Sequence, residues 1–142
     1  MSFMGYPSKE EITNWWSDPD ITFEHIPVIY IAGPYRADCE YDVSQNIRTA
    51  EDFAAMVWRM GAVALCPHKN TSHFGGAYGL PDATWLKGDW ILLKRCDAVL
   101  LVGDWENSEG SLAEIEFAEK YGIPVLNHID LVPGFIQAWC GS

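Results

Sequence analysis

The sequence predicts an α/β protein: one parallel sheet of four to five strands with helices on both faces, preceded by a helical appendage. Three observations predict it. From residue 27 onward, short continuous apolar runs alternate with segments of helical spacing, and a parallel strand covered on both faces reads as such a run. Glycine and proline punctuate the junctions. The unusual polar residues gather in three loops that each follow an apolar run, which is where sheets of this kind hold ligands.

Residues 1–26 form the appendage and 27–142 the α/β domain. Ser8 and Glu11 make a capping box ahead of Ile12, Trp15 and Trp16, and Asp18-Pro19 stops that helix. Two adjacent tryptophans need cover, so the helix is expected to pack on the body or on a second subunit. Val28-Ile29-Tyr30-Ile31-Ala32 is the first strand, broken by Gly33-Pro34-Tyr35-Arg36. Apolar side chains at Ile47, Ala50, Phe53, Ala54, Val57 and Met60 predict a helix over 43–60, begun by Asp42 or Ser44 and ended by Gly61. Ala62 to Cys66 is the second strand, closed by Pro67. His68 to Leu80, rich in Gly, His, Asn and Ser, is a long loop for a compact domain, and such loops often serve function. A helix over 81–95, a buried strand over 98–102, an acidic loop over 103–108 and a helix over 110–121 follow. Pro124-Val125-Leu126 is the last strand and 131–139 a short final helix. The pattern is that of a single flavodoxin- or Rossmann-like domain.

Composition narrows the function. The chain has 142 residues, 49% apolar and 20% charged, enough for one domain with its own core. Nine Lys and Arg against twenty Asp and Glu leave a net charge of −11. Nucleic-acid backbones and anionic membranes are gripped by clustered cations, so neither is an expected partner. No apolar run reaches the roughly 18 residues of a membrane span. The opening MSFMGYPSKEE has neither the charged nor the apolar region of a signal peptide, so a cytoplasmic location is expected. Cys39, Cys66, Cys96 and Cys140 contain no C-x-x-C pair and read as reduced thiols. Cys66, His68 and His73 fit no standard zinc spacing, so no metal is expected.

The chemistry concentrates in Ser108-Glu109-Gly110-Ser111-Leu112-Ala113-Glu114. Ser108 and Gly110 stand at a helix N-terminus directly after a strand, where free N–H groups and the helix dipole favour an anion. Gly110 removes the side chain that would hold an anion away. Glu114 lies one turn further, at roughly 6 Å of rise, beside Gly110, Ser111 and Ala118. Small neighbours on one face leave a furrow next to a single carboxylate. The spacing is about that from a nucleotide's 5′-phosphate to its anomeric carbon. Arg36, just after the first strand, suits phosphate recognition. Asp89 sits among Trp85, Leu86, Trp90 and Ile91, where desolvation raises a carboxyl pKa and makes a proton donor. Asp104 lies near the same loop, whereas Asp97 reads as a turn residue.

Together these segments resemble the nucleoside 2-deoxyribosyltransferase superfamily, most closely its 2′-deoxynucleoside 5′-phosphate N-hydrolase branch and short uncharacterised relatives. The resemblance spans about residues 28–128. It rests on Tyr30-Ile31-Ala32-Gly33-Pro34-Tyr35-Arg36, Asp89, Cys96-Asp97-Ala98-Val99-Leu100-Leu101-Val102, and Ser108-x-Gly110-Ser111-x-x-Glu114 continuing to Ala118 and Gly122-Ile123-Pro124.

The resemblance implies Glu114 as nucleophile at the anomeric carbon, Asp89 as the acid/base for the departing base, and Tyr30 as the residue orienting the nucleophile. It implies Gly33, Arg36, Ser108 and Gly110 around the 5′ end of the sugar. Asp104 and Ser111, by their place beside that loop, are expected to bind the substrate too. Serine at 108, where nucleoside transferases commonly carry an acid, resembles the branch that accepts 5′-monophosphates. His68 is placed to meet the nucleobase, with Asn70, His73 and Phe74 as further contacts. Glu116 replaces a usual glycine, and Pro34 replaces a usual hydroxyl residue. Family members are usually homodimers or larger, and the chemistry implies no metal or organic cofactor. The expected activity is hydrolysis of a (deoxy)nucleoside 5′-monophosphate to free base and (deoxy)ribose 5-phosphate. The alternatives are base exchange by a deoxyribosyltransferase and a nucleotide-binding protein without turnover.

Overall fold

Strand β1 (Val28–Ala32) lies inside the sheet because every residue after its first is buried. The computed structural model describes residues 5–17, 25–70 and 79–140. Strands β2 (Val63–Leu65), β3 (Ala98–Leu101) and β4 (Val125–Leu126) complete a four-stranded, fully parallel sheet in the order β2-β1-β3-β4. Tyr30 pairs with Leu65 on one side and Val99 on the other. The chain leaves β1 for one edge and later returns past it to β3. The β1/β3 junction is therefore the switch point at which a crevice opens beyond the strand ends.

Helix α1 (Lys9–Asn14) precedes the sheet; α2 (Glu40–Arg59), α3 (Pro67–Asn70), α4 (Asp82–Lys94), α5 (Glu109–Lys120) and α6 (Val132–Cys140) surround it. Strand side chains alternate between faces, and the core divides accordingly. Ile29, Ile31, Ala98 and Leu100 pack with Ala50, Ala54 and Val57 of α2 and Val132 of α6. Tyr30, Ala32, Val99 and Leu101 face the opposite way, toward Leu93 of α4 and Ala118 of α5. Asp97 acts as the expected turn residue: its carboxylate accepts from the Val28 N–H at 2.8 Å and its own N–H donates to the Val28 carbonyl at 2.8 Å.

Several boundaries differ from expectation. Helix α2 begins three residues early, at Glu40, because Glu40 and Asp42 place negative charge in its first turn. Strand β2 keeps only three residues, and Pro67 then starts α3, which runs into the expected loop, a position to which its fixed φ is suited. Residues 71–78 of that loop lie outside the described residues. Helix α1 has the capping box in full, the Glu11 N–H donating to Ser8 Oγ at 3.2 Å and the Ser8 N–H to Glu11 Oε1 at 3.3 Å. It buries none of its residues; Trp15 is 45% exposed and Trp16 74%. The cover expected for these tryptophans is not supplied by the described part of this chain. The four cysteines are free thiols. No helix is long and apolar enough to cross a membrane among the described residues.

Candidate active site

A cavity of about 1080 Å³ opens beyond the C-terminal ends of β1 and β3. Ten of the site residues singled out from the sequence line it: Tyr30 and Gly33 from β1 and its turn, Arg36, His68 from α3, Asp89 from α4, Asp104 from the loop after β3, and Ser108, Gly110, Ser111 and Glu114 at the start of α5.

Tyr30, Glu114 and Asp89 form the floor. Tyr30 points to this side because its neighbours Ile29 and Ile31 take the other core. Its hydroxyl makes a hydrogen-bonding interaction with the Glu114 carboxylate and stays protonated, since burial and the two carboxylates oppose a phenolate. Burial pushes the Glu114 carboxyl up to about 7; the Tyr30 hydroxyl pulls it down, and Asp89 adds to the rise. Burial alone pushes Asp89 up to about 6. Between pH 6 and 7, therefore, Glu114 holds a proton more firmly than Asp89 does. Oε2 of Glu114 and Oγ of Ser111 are buried and have no hydrogen-bond partner among the described residues.

The N-terminus of α5 forms one wall. Ser108 caps it by accepting the Ser111 N–H at 3.2 Å, which leaves its own O–H to donate outward. A methyl group at Gly110 would meet only Ser108 Oγ, at 3.9 Å, so the space above it is open. Gly33 has a different reason to be glycine: a Cβ there would lie 2.8 Å from both Cγ2 and O of Val102. It lets the ends of β1 and β3 close on each other while its backbone lines the cavity.

His68 is anchored rather than loose. It is buried, donates from Nε2 to the Pro34 carbonyl at 2.8 Å, and meets Tyr35 edge-on with ring centroids 5.4 Å apart. Burial lowers its pKa, so the ring is neutral and braces the turn after β1. His73, Phe74 and the Asn70 side chain lie outside the described residues. Asp104 accepts from Asn107 Nδ2 at 2.8 Å. No group of three or more His, Cys, Asp or Glu is placed to hold a metal among the described residues.

Some lining residues escaped the sequence reading. Asn46 of α2 donates to the Tyr35 carbonyl at 3.2 Å and steadies the Gly33–Arg36 turn from behind. Trp85 and Leu86 supply an apolar wall. Trp85 stands four residues before Asp89, and that spacing alone puts both on one helix face. Asp42 and Glu109 also line the cavity, giving five carboxylates with Asp89, Asp104 and Glu114 against the Arg36 guanidinium.

The fold and the cavity define a doubly wound α/β protein with two desolvated carboxylates lining a cavity at its topological switch point. The chain belongs to a domain family of unknown function (DUF7768), whose model matches residues 27–128. No curated protein sequence matches it. Among solved structures it is similar to a 2-deoxyribosyltransferase from the psychrotolerant bacterium Bacillus psychrosaccharolyticus, with a TM-score of 0.51 at 21% identity over 69% of each chain. That likeness establishes a shared α/β fold.

Proposed function

We propose that this protein cleaves the N-glycosidic bond of a (deoxy)nucleoside 5′-monophosphate, releasing the free base and (deoxy)ribose 5-phosphate. The observation that carries the reading is the pair of carboxylates at one end of a cavity, one of them held by a tyrosine, with an open helix N-terminus and Arg36 also facing the cavity. In the first step the ionised Glu114 attacks the anomeric carbon. The bond to the base breaks as its electrons pass to the base nitrogen, and Asp89 gives that nitrogen a proton. In the second step Asp89 takes a proton from water, which displaces Glu114 from the sugar. Two carboxylates serving an oxocarbenium-like transition state in this way retain configuration.

This assignment needs Glu114 ionised while Asp89 is protonated, the reverse of the order their pKa values take in the open cavity. Substrate supplies the correction. Asp89 is only partly buried, and a base settling over it withdraws the remaining water and raises its pKa further. Positive charge developing on the sugar favours the ionised Glu114 beside it.

A second reading follows from the excess of carboxylates on the cavity wall: a nucleoside without a phosphate, with a second base in place of water, would meet less repulsion there. The similar solved structure is of a deoxyribosyltransferase, which agrees with it. Both readings are tested by a chromatographic screen for released base, using nucleosides and their 5′-monophosphates with and without acceptor base, and with Glu114→Ala as control. Release from monophosphates alone, abolished in the variant, supports hydrolysis. Release only with acceptor supports exchange. No release from any substrate sinks both.

A further inference from the structure

The cavity is lined by the carboxylates of Asp42, Asp89, Asp104, Glu109 and Glu114, and by the guanidinium of Arg36. Asp42, Asp104 and Glu109 are exposed, so water and salt screen them and they set mainly the sign of the potential at the entrance. Asp89 and Glu114 differ, because both are desolvated. No cationic side chain is among the groups that set their proton affinities: burial alone raises Asp89, while burial, the Tyr30 hydroxyl and Asp89 act on Glu114. Folded proteins pair the charges they withdraw from water. Two desolvated carboxylates on one cavity, with no cation of the protein offsetting them, make a place for a cation that arrives with the ligand.

Which part of the ligand carries that charge follows from the glycosidase reading, on which this inference rests. Glu114 addresses the anomeric carbon and Asp89 the base. Sugar and phosphate carry no positive charge, so the cation is the base. The cavity wall agrees. Trp85 stands one turn before Asp89 on α4 and lines the same space, and indole is the aromatic side chain that draws cations most strongly. We propose that the substrate is the N-glycoside of a permanently cationic heteroaromatic base, of which a pyridinium nucleoside is the simplest case. Such a base leaves without a proton. As the ionised Glu114 bonds to the anomeric carbon, the C–N bond breaks and its electron pair neutralises the ring nitrogen. Asp89 then takes a proton from water, the water oxygen bonds to the anomeric carbon, and Glu114 departs as a carboxylate. The products are the neutral base, the sugar, and a proton that passes from Asp89 to solvent. Both carboxylates work ionised, and the positive ring lowers the proton affinity of each. Proton donation by Asp89 is needed for neutral bases only.

The test uses ligands that differ in charge and little in shape: nicotinamide riboside and its 5′-monophosphate, each against its neutral 1,4-dihydro form. Affinity is read by calorimetry at pH 7.5 on Glu114→Gln, where turnover does not intervene. Base release is read by chromatography on wild type, against the same compounds without protein, with the common nucleosides and their 5′-monophosphates alongside. The pyridinium member is expected to bind about 10-fold tighter than its neutral partner or more. An opposite charge within about 4–6 Å changes a carboxylate's proton affinity at least 10-fold, and by reciprocity the ionised carboxylate favours the cation by that factor. Adding Asp89→Asn, which keeps the shape and cannot ionise, is expected to reduce the preference about 10-fold; the comparison on Glu114→Gln stands whether or not the double variant folds. Equal affinity within both pairs, a preference that a folded Asp89→Asn variant leaves unchanged, or no binding of any of the four compounds overturns the inference. Release of common bases without a pyridinium preference also overturns it and leaves the glycosidase reading standing. A pyridinium preference with no base released from any compound supports the cation site and overturns the glycosidase reading. Preference and release of nicotinamide together support both.

Discussion

Glu114→Gln is expected to make the protein more stable at pH 8 while abolishing any glycosidase activity. The carboxyl has a pKa of about 7 in the folded protein against an ordinary 4.5. That difference amounts to about 3 kcal/mol at 1.36 kcal/mol for each tenfold change in proton affinity. The folded protein binds this proton more tightly than the unfolded chain, so the protonated site is the comfortable one. No penalty exists below about pH 4.5. It grows through the window to about 7 and is fully present above it. Glutamine keeps the shape and the oxygen that faces Tyr30 but never ionises. Urea unfolding followed by fluorescence, run at pH 5 and pH 8, reads the effect directly. The variant should gain up to about 3 kcal/mol over wild type at pH 8, roughly 10 °C in Tm for a domain of this size, and little at pH 5. A variant no more stable at pH 8, or one offset equally at both values, would refute the claim that an ionised Glu114 is held in a dry site against its solvation preference.

Other expectations concern the same floor and its support. If the glycosidase reading holds, kcat/KM should follow a bell between apparent pKa values near 6 and 7, belonging to the Asp89–Glu114 pair; a flat profile from pH 5 to 8 would remove the pair from the chemistry. Tyr30→Phe deletes the donor that favours the ionised Glu114, so the Glu114 pKa should move up and kcat/KM should drop about 10- to 100-fold, which a pH–rate series would resolve. Gly33→Ala puts a methyl group 2.8 Å from the Val102 side chain and carbonyl. The expected loss is about 1–3 kcal/mol, measured by thermal melting. Asp97→Ala orphans the Val28 N–H at the start of β1 and should lower stability by about 1–3 kcal/mol without altering the shape of the pH profile.

Much of this architecture was legible in the sequence because its signals are local. Ile29, Ile31, Val99 and Leu100 sit in unbroken apolar runs, and two-sided burial is what such runs encode. Glu114 and Asp89 stood out because each is a carboxylate among apolar or small neighbours, and the cavity brings both to one floor. What stayed hidden depends on distant partners. His68 is fixed by a carbonyl 34 residues away, at Pro34, and nothing beside it in the chain distinguishes a brace from a base contact. Asn46 supports the Tyr35 backbone from another element. The small residue at 33 answers to Val102, just beyond the end of β3. Helix α1 shows the converse: its capping box is local and forms as read, while its burial depended on a surface that the described chain does not bring to it.

The division of the core into two faces has a consequence for how this protein can change. Tyr30, Asp89 and Glu114 belong to the α4/α5 side, whereas Ile29, Ile31, Ala54, Val57 and Val132 fill the α2/α6 side without reaching the cavity. The second layer is therefore a reservoir in which repacking can add robustness while the reacting groups keep their places. A library confined to that layer could bank tolerance before α4 and the start of α5 are diversified toward new substrates.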